Sequence, residues 1–427
     1  MNSRIGNRDR LALTDWLLLT LVAALPLMNP AIAYPIVLAD LIFLALAACL
    51  AFEVASGRRR FGWNDAFSIL AAYLLALVPS LLATPDLDRS TTKLASEAYL
   101  VGLTVSTLLI VQTVTMLRRV VLLWLWVTTA LVVLAVSSLL AFWSFPGSSL
   151  YAYSRFHFGT LPPGNYPRLA LTFFNANMAC NYLTVSLGLL FVAWQQAWLT
   201  NKRAWLLIAG ILVAACATLS PGLGGIALAL ATGCWLMRGS RTALLFGMLA
   251  ALVFLIGSAA TPIIHSTAPF VVHLPGGLTL APSGRGLIWT AALSEFLHHP
   301  LVGHGIGIDS VSVLYADPSG GLQELTDAHN VILSVAAQAG LAGLAGLAIL
   351  LGFVVRLTFS ARDGGRDPVM LGLGLTFLNA FLYQGLTGSF EDTRHLWVLL
   401  GLIIAAARIS VTREDGNSRE SGAPLPC

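Results

Sequence analysis

Apolar residues form long runs along most of this chain, separated by short polar segments. A helix needs about 20 apolar residues to cross a hydrocarbon core of about 30 Å. Twelve runs approach or exceed that length, at 12–30, 32–54, 65–83, 94–117, 120–143, 171–196, 203–217, 222–237, 241–260, 330–357, 369–388 and 395–410. The pattern predicts an all-α polytopic membrane protein with about twelve transmembrane helices.

Two features of these runs affect the count. The short runs 203–217 and 222–237 flank Ser220-Pro221-Gly222 and form either two spans or one broken re-entrant unit. Counting them as two gives an even number and places both termini on one side. The first run leads straight into the second without a small-residue cleavage pattern, so we expect a retained first helix.

Composition supports a membrane protein and excludes other classes. The 427 residues are 57% hydrophobic and only 10% charged, with a mean hydropathy of +0.80, whereas soluble domains carry about 25% charged residues. The net charge of +4 is small and confined mostly to short loops, so nothing indicates a nucleic-acid partner. The five cysteines show no paired spacing, which disfavours a disulfide framework.

Basic residues are distributed unevenly between the two sets of loops. Eighteen of the 24 lysines and arginines fall on the side of the termini, and the other six fall in or beside the opposite loops. Those six are Arg89, Lys93, Arg155, Arg168, Arg285 and Arg394. By the positive-inside rule both termini are cytoplasmic and the opposite loops are periplasmic.

This topology divides the chain into four parts. We expect helices 1–9 with a periplasmic loop at 144–170 within 1–260, a large periplasmic loop at 261–329, helices 10–12 within 330–410, and a cytoplasmic tail at 411–427. The large loop is predicted to be partly helical, with the stretch 284–293 lying over the membrane. Since loops of this length are usually functional, chemistry is expected at the outer face.

Titratable side chains are concentrated at that face. All eight histidines map to the outer loops or their edges, namely His157, His265, His273, His298, His299, His304, His329 and His395. His329-Asn330 stands at the start of the tenth span, where an imidazole can act as a base or the pair can simply cap the helix.

Scarce outer cations form a second group of candidates. Arg285 lies between two glycines, and its guanidinium suits bidentate pairing with phosphate. Arg89, Lys93, Arg155 and Arg168 form either an anion site or ordinary ion pairs with neighbouring acids.

Other chemistries find little support in the sequence. The spacing of His298, His299 and His304 does not match a helical zinc motif, so no metal site is predicted. Asp40 lies inside the second span, where a charge either serves function or bonds to a neighbouring helix. The small residues of 340–346 predict close helix packing, and nucleotide-binding loops are absent from the sequence.

Four features together resemble the O-antigen ligase and polymerase superfamily of bacterial inner-membrane glycosyltransferases. They are the stretch from Arg168 to Asn177, Gly284-Arg285 with Trp289 and later glycines, His329-Asn330 followed by Gly340 and Gly343, and a large outer loop late in a chain of about a dozen spans. The family commonly has Ser-Arg-Gly where this chain has Ser220-Pro221-Gly222, so another cation, Arg155, Arg168 or Lys93, is expected to take that arginine's place.

The resemblance implies a fold similar to the GT-C glycosyltransferases and a reaction at the periplasmic face. An O-antigen ligase moves a glycan from undecaprenyl diphosphate to the lipid A-core oligosaccharide, with inversion and without metal or other cofactor. His329 would be the catalytic base, and Arg285 would stabilise the leaving diphosphate. Arg168, Arg155, Lys93 and Arg89 would bind the diphosphate, Asn177 and Asn330 would bind substrate, and membrane lipids would surround the spans.

Two alternatives remain open at this stage. An O-antigen polymerase uses the same donor with a second carrier-linked glycan as acceptor, and shared loops make it hard to distinguish. A secondary transporter or lipid flippase belongs to a different class, typified by paired halves and charges at the membrane midplane. No convincing repeat relates the two halves of this chain.

Overall fold

A computed structural model shows how the chain folds. It describes residues 11–28, 36–59, 64–144, 155–159, 166–262, 272–273, 279–282, 284–309, 311–316, 322–326, 328–360, 367–387 and 393–420. The helices are α1 (Leu13–Ala24), α2 (Leu38–Ala55), α3 (Asp65–Leu77, continued by a 3-10 turn at Val78–Leu82), α4 (Leu87–Ile110), α5 (Val114–Ser144), α6 (Ala176–Gln195), α7 (Asn201–Ala217), α8 (Leu223–Arg238), α9 (Arg241–Ala259), α10 (Gly284–His298), α11 (Val331–Phe359), α12 (Pro368–Thr387) and α13 (Arg394–Glu420).

Short strands connect some of these helices. β1 (Arg155–Gly159) pairs with β2 (Tyr166–Leu171); β5 (Thr279–Pro282) pairs with both β3 (Ala260–Pro262) and β4 (Val272–His273); and β6 (Val313–Ala316) pairs with β7 (Leu322–Leu325). All pairings are antiparallel. We call the end of the bundle that carries β1–β7 and α10 the strand-bearing end.

The predicted all-α architecture is confirmed, with apolar helices of the kind that membrane proteins contain. A helix lies in each of the twelve predicted apolar runs, and α10 covers the predicted helix in the large loop. Among the described residues, six helices are long and apolar enough to cross a bilayer. The runs 203–217 and 222–237 form two separate helices, α7 and α8. α13 continues to Glu420, past the predicted end of the last span at 410.

Local sequence determines where several helices begin and end. The side chains of Asn64, Asp86, Asn175 and Asn330 each accept hydrogen bonds from backbone N–H groups of the first turn of α3, α4, α6 and α11. These caps satisfy donors that have no partner within the helix. Gly239 ends α8 in the left-handed conformation that glycine adopts at little cost.

α6 is the central helix of the bundle and is buried along nearly its whole length. α9 lies at the periphery, where Leu245, Phe246, Leu249 and Leu252 are exposed. Apolar side chains on an outward face are what a lipid environment accommodates and water does not. The predicted close packing is confirmed at Gly346, where an added Cβ would lie 2.5 Å from the Cβ of Ala76 in α3.

α11 departs from the single predicted span. Gly340 is non-helical, with φ +61° and ψ −154°, and divides α11 into two helical pieces. The N–H groups of Leu341 and Ala342 donate to the carbonyls of Pro300 and Leu301, at 2.8 and 3.1 Å. We call residues 300–307, which fill this break, the inserted loop. Because the loop satisfies the backbone groups, the interruption is compatible with a position inside the protein.

Candidate functional site

Arg168 lies in a hydrogen-bonded network at the strand-bearing end. Its Nε donates to the carbonyl oxygen of Thr218 at 3.1 Å, and its Nη2 donates to Oδ1 of Asn177 at 3.0 Å. The hydroxyl of Ser220 donates to the same Oδ1 at 2.7 Å. The network therefore joins β2, the first turn of α6 and the turn between α7 and α8.

The turn between α7 and α8 has unusual backbone geometry. Leu219 has a φ of +45°, and Leu171, at the end of β2, has a φ of +54°. Side chains other than glycine rarely adopt this region, and such strain concentrates at functional sites. The Ser220 hydroxyl also accepts from the N–H of Gly222 at 3.0 Å, which shapes the entry into α8.

Arg168 thus places a guanidinium at the turn that contains Ser220, although it comes from a different segment. Of the three residues named for this place, Arg168 lies there. Lys93 lies in α4 against Gly307, and the side chain of Arg155 lies outside the described part of the chain.

His329 occupies the strained entry into α11. Its φ is +48°, and it is one of four non-glycine residues with positive φ in the described part of the chain. Asn330 is buried, and its Oδ1 accepts from the N–H groups of Ile332 and Leu333 at 3.1 and 3.2 Å. Asn330 thus caps the helix, the structural alternative that the sequence left open for this pair.

A hydrogen bond joins α10 to Ala328, the residue before His329. The indole N–H of Trp289 donates to the carbonyl oxygen of Ala328 at 2.9 Å. Arg285 lies one helical turn before Trp289, at the start of α10, so the backbone of Arg285 belongs to the helix that contacts the His329 segment. The side chain of Arg285 lies outside the described part of the structure.

The end of α12 lies between the Arg168 network and His329. A Cβ added to Gly224, in the first turn of α8, would lie 2.0 Å from the hydroxyl of Tyr383. Two residues further along α12, a Cβ on Gly385 would lie 3.9 Å from the Cβ of Val331. The starts of α8 and α11 therefore flank the same end of α12, which brings together segments that are far apart in sequence.

Arg89 and Lys93 form a separate feature. Nη2 of Arg89 lies 2.9 Å from Oδ2 of Asp309, in an ion pair whose side chains are about half exposed. Arg89, Lys93 and Gly307 border an open groove of about 400 Å³. Arg89 and Lys93 thus lie against the inserted loop and its continuation, whereas Arg168 bonds to Asn177 and Thr218.

Sequence inspection missed the partners of several buried charges. Asp40 forms a bidentate pair with Arg394, with Nε–Oδ1 at 2.7 Å and Nη2–Oδ2 at 3.0 Å. The hydroxyl of Tyr99 donates to Asp40 as well. His395, which the sequence places at the edge of the outer face, is packed inside the bundle: this residue is 2% exposed, and its Nε2 lies 2.7 Å from Oδ1 of Asn181.

A group of metal-ligating side chains is also present. Among the described residues, Glu295, His299 and His304 place one ligand atom each within 4.8 Å of one another. The sequence prediction of no metal site considered the histidines alone and left out Glu295, which lies one turn before His299.

Another cavity lies elsewhere. It measures about 580 Å³ and is bordered by Gln196, Asp367 and Ser410, at the helix ends opposite the strand-bearing end. Its lining includes none of the candidate residues named from the sequence.

Comparison with known proteins provides no further assignment: no family model matches the chain, and no significant match is found among curated proteins.

Proposed function

We propose that this chain is an O-antigen ligase, which transfers a glycan from undecaprenyl diphosphate to the lipid A-core oligosaccharide at the strand-bearing end. The observation that carries the proposal is the position of Arg168. Its guanidinium lies at the turn that contains Ser220. At this place the family that the chain resembles commonly has the arginine of Ser-Arg-Gly, which this chain lacks.

The proposed roles follow from the chemistry of inverting transfer. His329 accepts the proton of the acceptor hydroxyl while the hydroxyl oxygen forms a bond to the anomeric carbon. The bond from that carbon to the diphosphate breaks, and undecaprenyl diphosphate leaves with the electron pair. Arg168 and Arg285 neutralise the charge that builds on the leaving diphosphate.

The proposal also includes an orientation. With twelve spans in a bacterial inner membrane, both termini would lie in the cytoplasm and the strand-bearing end would lie in the periplasm. The apolar periphery, including α9, would contact lipid and the polyprenyl tail of the donor. Asp40 gives little support to the alternative of a transporter or flippase, because Arg394 neutralises its charge within the bundle.

Reconstituted transfer provides the test. The full chain, purified in detergent, is mixed with undecaprenyl-diphosphate glycan and lipid A-core, without nucleotide and with a chelator. We expect product from the wild type and a rate lower by roughly 100- to 10,000-fold for His329→Ala, the range for loss of a general base. His298→Ala is the matched control, because this exposed histidine bonds only to Ser294 of its own helix in the described contacts.

Each outcome has a distinct meaning. Equal rates for wild type and His329→Ala would exclude His329 as the base. Product only when the acceptor is a second carrier-linked glycan would identify a polymerase. No transfer to either acceptor by well-folded wild type would contradict the glycosyltransferase assignment.

A further inference from the structure

The C-terminal end of α10 and the inserted loop bring two imidazoles and a carboxylate together. Nδ1 of His304 lies 3.0 Å from Oε1 of Glu295, and Nε2 of His299 lies 3.6 Å from the same oxygen. The two imidazole centroids are 5.5 Å apart. All three side chains are partly open to solvent, so an ion can reach them.

This donor set is the one that zinc prefers. Two histidines and one glutamate are a known catalytic-type zinc set, which leaves a fourth position for water. With bonds of about 2.0 to 2.2 Å, the ligand atoms of a tetrahedral site lie roughly 3.4 Å apart. The separations from Glu295 Oε1, 3.0 Å to His304 and 3.6 Å to His299, fall on either side of that value, and all three ligand atoms lie within 4.8 Å of one another.

The backbone holds two of the ligands in place without any ion. The N–H of Gly303 donates to the carbonyl oxygen of His299 at 3.0 Å, and the N–H of His304 donates to the carbonyl oxygen of Ala337 at 2.9 Å. Gly303 has a φ of +70°, and a Cβ there would lie 2.3 Å from the backbone of Gln338. The turn between His299 and His304 is therefore fixed by its contact with α11.

Neighbouring His298 does not belong to the group. Its Nδ1 lies 2.7 Å from the carbonyl oxygen of Ser294, so its ring follows its own helix. The chain therefore contains an adjacent histidine of the same type and similar exposure that serves as a control.

We infer that Glu295, His299 and His304 bind a divalent transition metal ion of the Zn²⁺ class, which clamps the end of α10 to the inserted loop. This site goes beyond the proposed glycosyl transfer and supplies no group to that reaction. The ion would stabilise the contact between α10, the inserted loop and α11.

Zinc binding to the whole protein is the first test. Full-length chain carrying a purification tag without histidine is stripped with chelator and titrated with Zn²⁺ in competition with a chromophoric chelator. We expect one high-affinity ion per chain, and a loss of affinity of at least about 100-fold in His299→Ala and His304→Ala, since outer-shell groups alone are worth roughly 10- to 100-fold. His298→Ala should bind as the wild type does.

A second measurement reports geometry and does not depend on activity. Co²⁺ bound to the wild type should show the intense visible absorption of a four-coordinate ion, absent from Glu295→Gln. Hydrogen exchange of the 295–305 amides should slow when Zn²⁺ is added to wild type and remain unchanged in His304→Ala.

Two results would overturn the inference. One is wild-type protein that does not bind Zn²⁺ under these conditions, which would leave only the direct contacts of Glu295 with the two imidazoles. The other is equal loss in His298→Ala and His299→Ala, which would indicate non-specific binding. Neither result depends on whether the protein transfers glycans, so failure of one proposal leaves the other standing.

Discussion

Substitution of Gly340 by alanine tests the break in α11 most directly. The conformation of Gly340, φ +61° and ψ −154°, lies in a region that is essentially restricted to glycine. An added Cβ would lie 2.5 Å from the carbonyl carbon of Leu301 and 2.6 Å from its oxygen. These are backbone atoms, so a side-chain rotation cannot relieve the overlap.

Two contributions determine the magnitude. A residue forced into this backbone region costs about 1 to 3 kcal/mol. To admit the methyl group, the inserted loop must move away and weaken the bonds from Leu341 to Pro300 and from Ala342 to Leu301, at about 1 kcal/mol each. We therefore expect Gly340→Ala to lower the free energy of unfolding by about 3 to 5 kcal/mol.

The assay is denaturant-induced unfolding of the purified chain in detergent, followed by tryptophan fluorescence. Gly352→Ala is the matched control in the same helix, because an added Cβ there meets nothing within 4 Å. Alanine should leave stability unchanged or raise it by up to about 1 kcal/mol at that position. Equal stability of Gly340→Ala and Gly352→Ala would refute the view that the inserted loop fills the break.

Two further substitutions test the buried charges and the Arg168 network. Arg394→Gln should lower the free energy of unfolding by about 3 kcal/mol, because it leaves Asp40 within the bundle without its ion-pair partner. In the double variant with Asp40→Asn, the decrease in the free energy of unfolding should be clearly smaller than the sum of the two single decreases. Additive decreases would contradict the pairing. Arg168→Gln should lower the transfer rate roughly 100-fold at normal protein level, as measured in the reconstituted reaction. The exposed Arg203→Gln, in the first turn of α7, is its control, and an unchanged rate in Arg168→Gln would remove this residue from the site.

Hydropathy was sufficient to predict the helices because each of them occupies a long apolar run that can be recognised from its length and composition alone. Each predicted apolar run contains a helix, and several helix starts coincide with asparagine or aspartate caps. The short strands were not predicted. They occur in loops of mixed composition, where pairing depends on partners that no local pattern reveals.

The site was harder to predict because its parts meet only through tertiary packing. Nothing local in the sequence links Arg168 to Thr218, or Arg394 to Asp40. Gly340 lies in a run of small residues that predicts close helix packing, and Gly346 of the same run does pack closely against α3. Gly340 instead breaks the helix, and only its contact with the inserted loop distinguishes this role from close packing.

The first piece of α11, before Gly340, packs against both the main core, through Val331 and Ala339, and a smaller apolar cluster. Ile288, Ala292, Val311, Ala328 and Ala337 form a small apolar cluster distinct from the main core of the bundle. This cluster joins α10 to the first piece of α11, and the bond from Trp289 to Ala328 closes it beside His329. α10 and the inserted loop therefore help the main core to fix the segment that carries His329. If His329 is the base in the proposed transfer, a change confined to the smaller cluster should lower the transfer rate more strongly than the stability of the bundle.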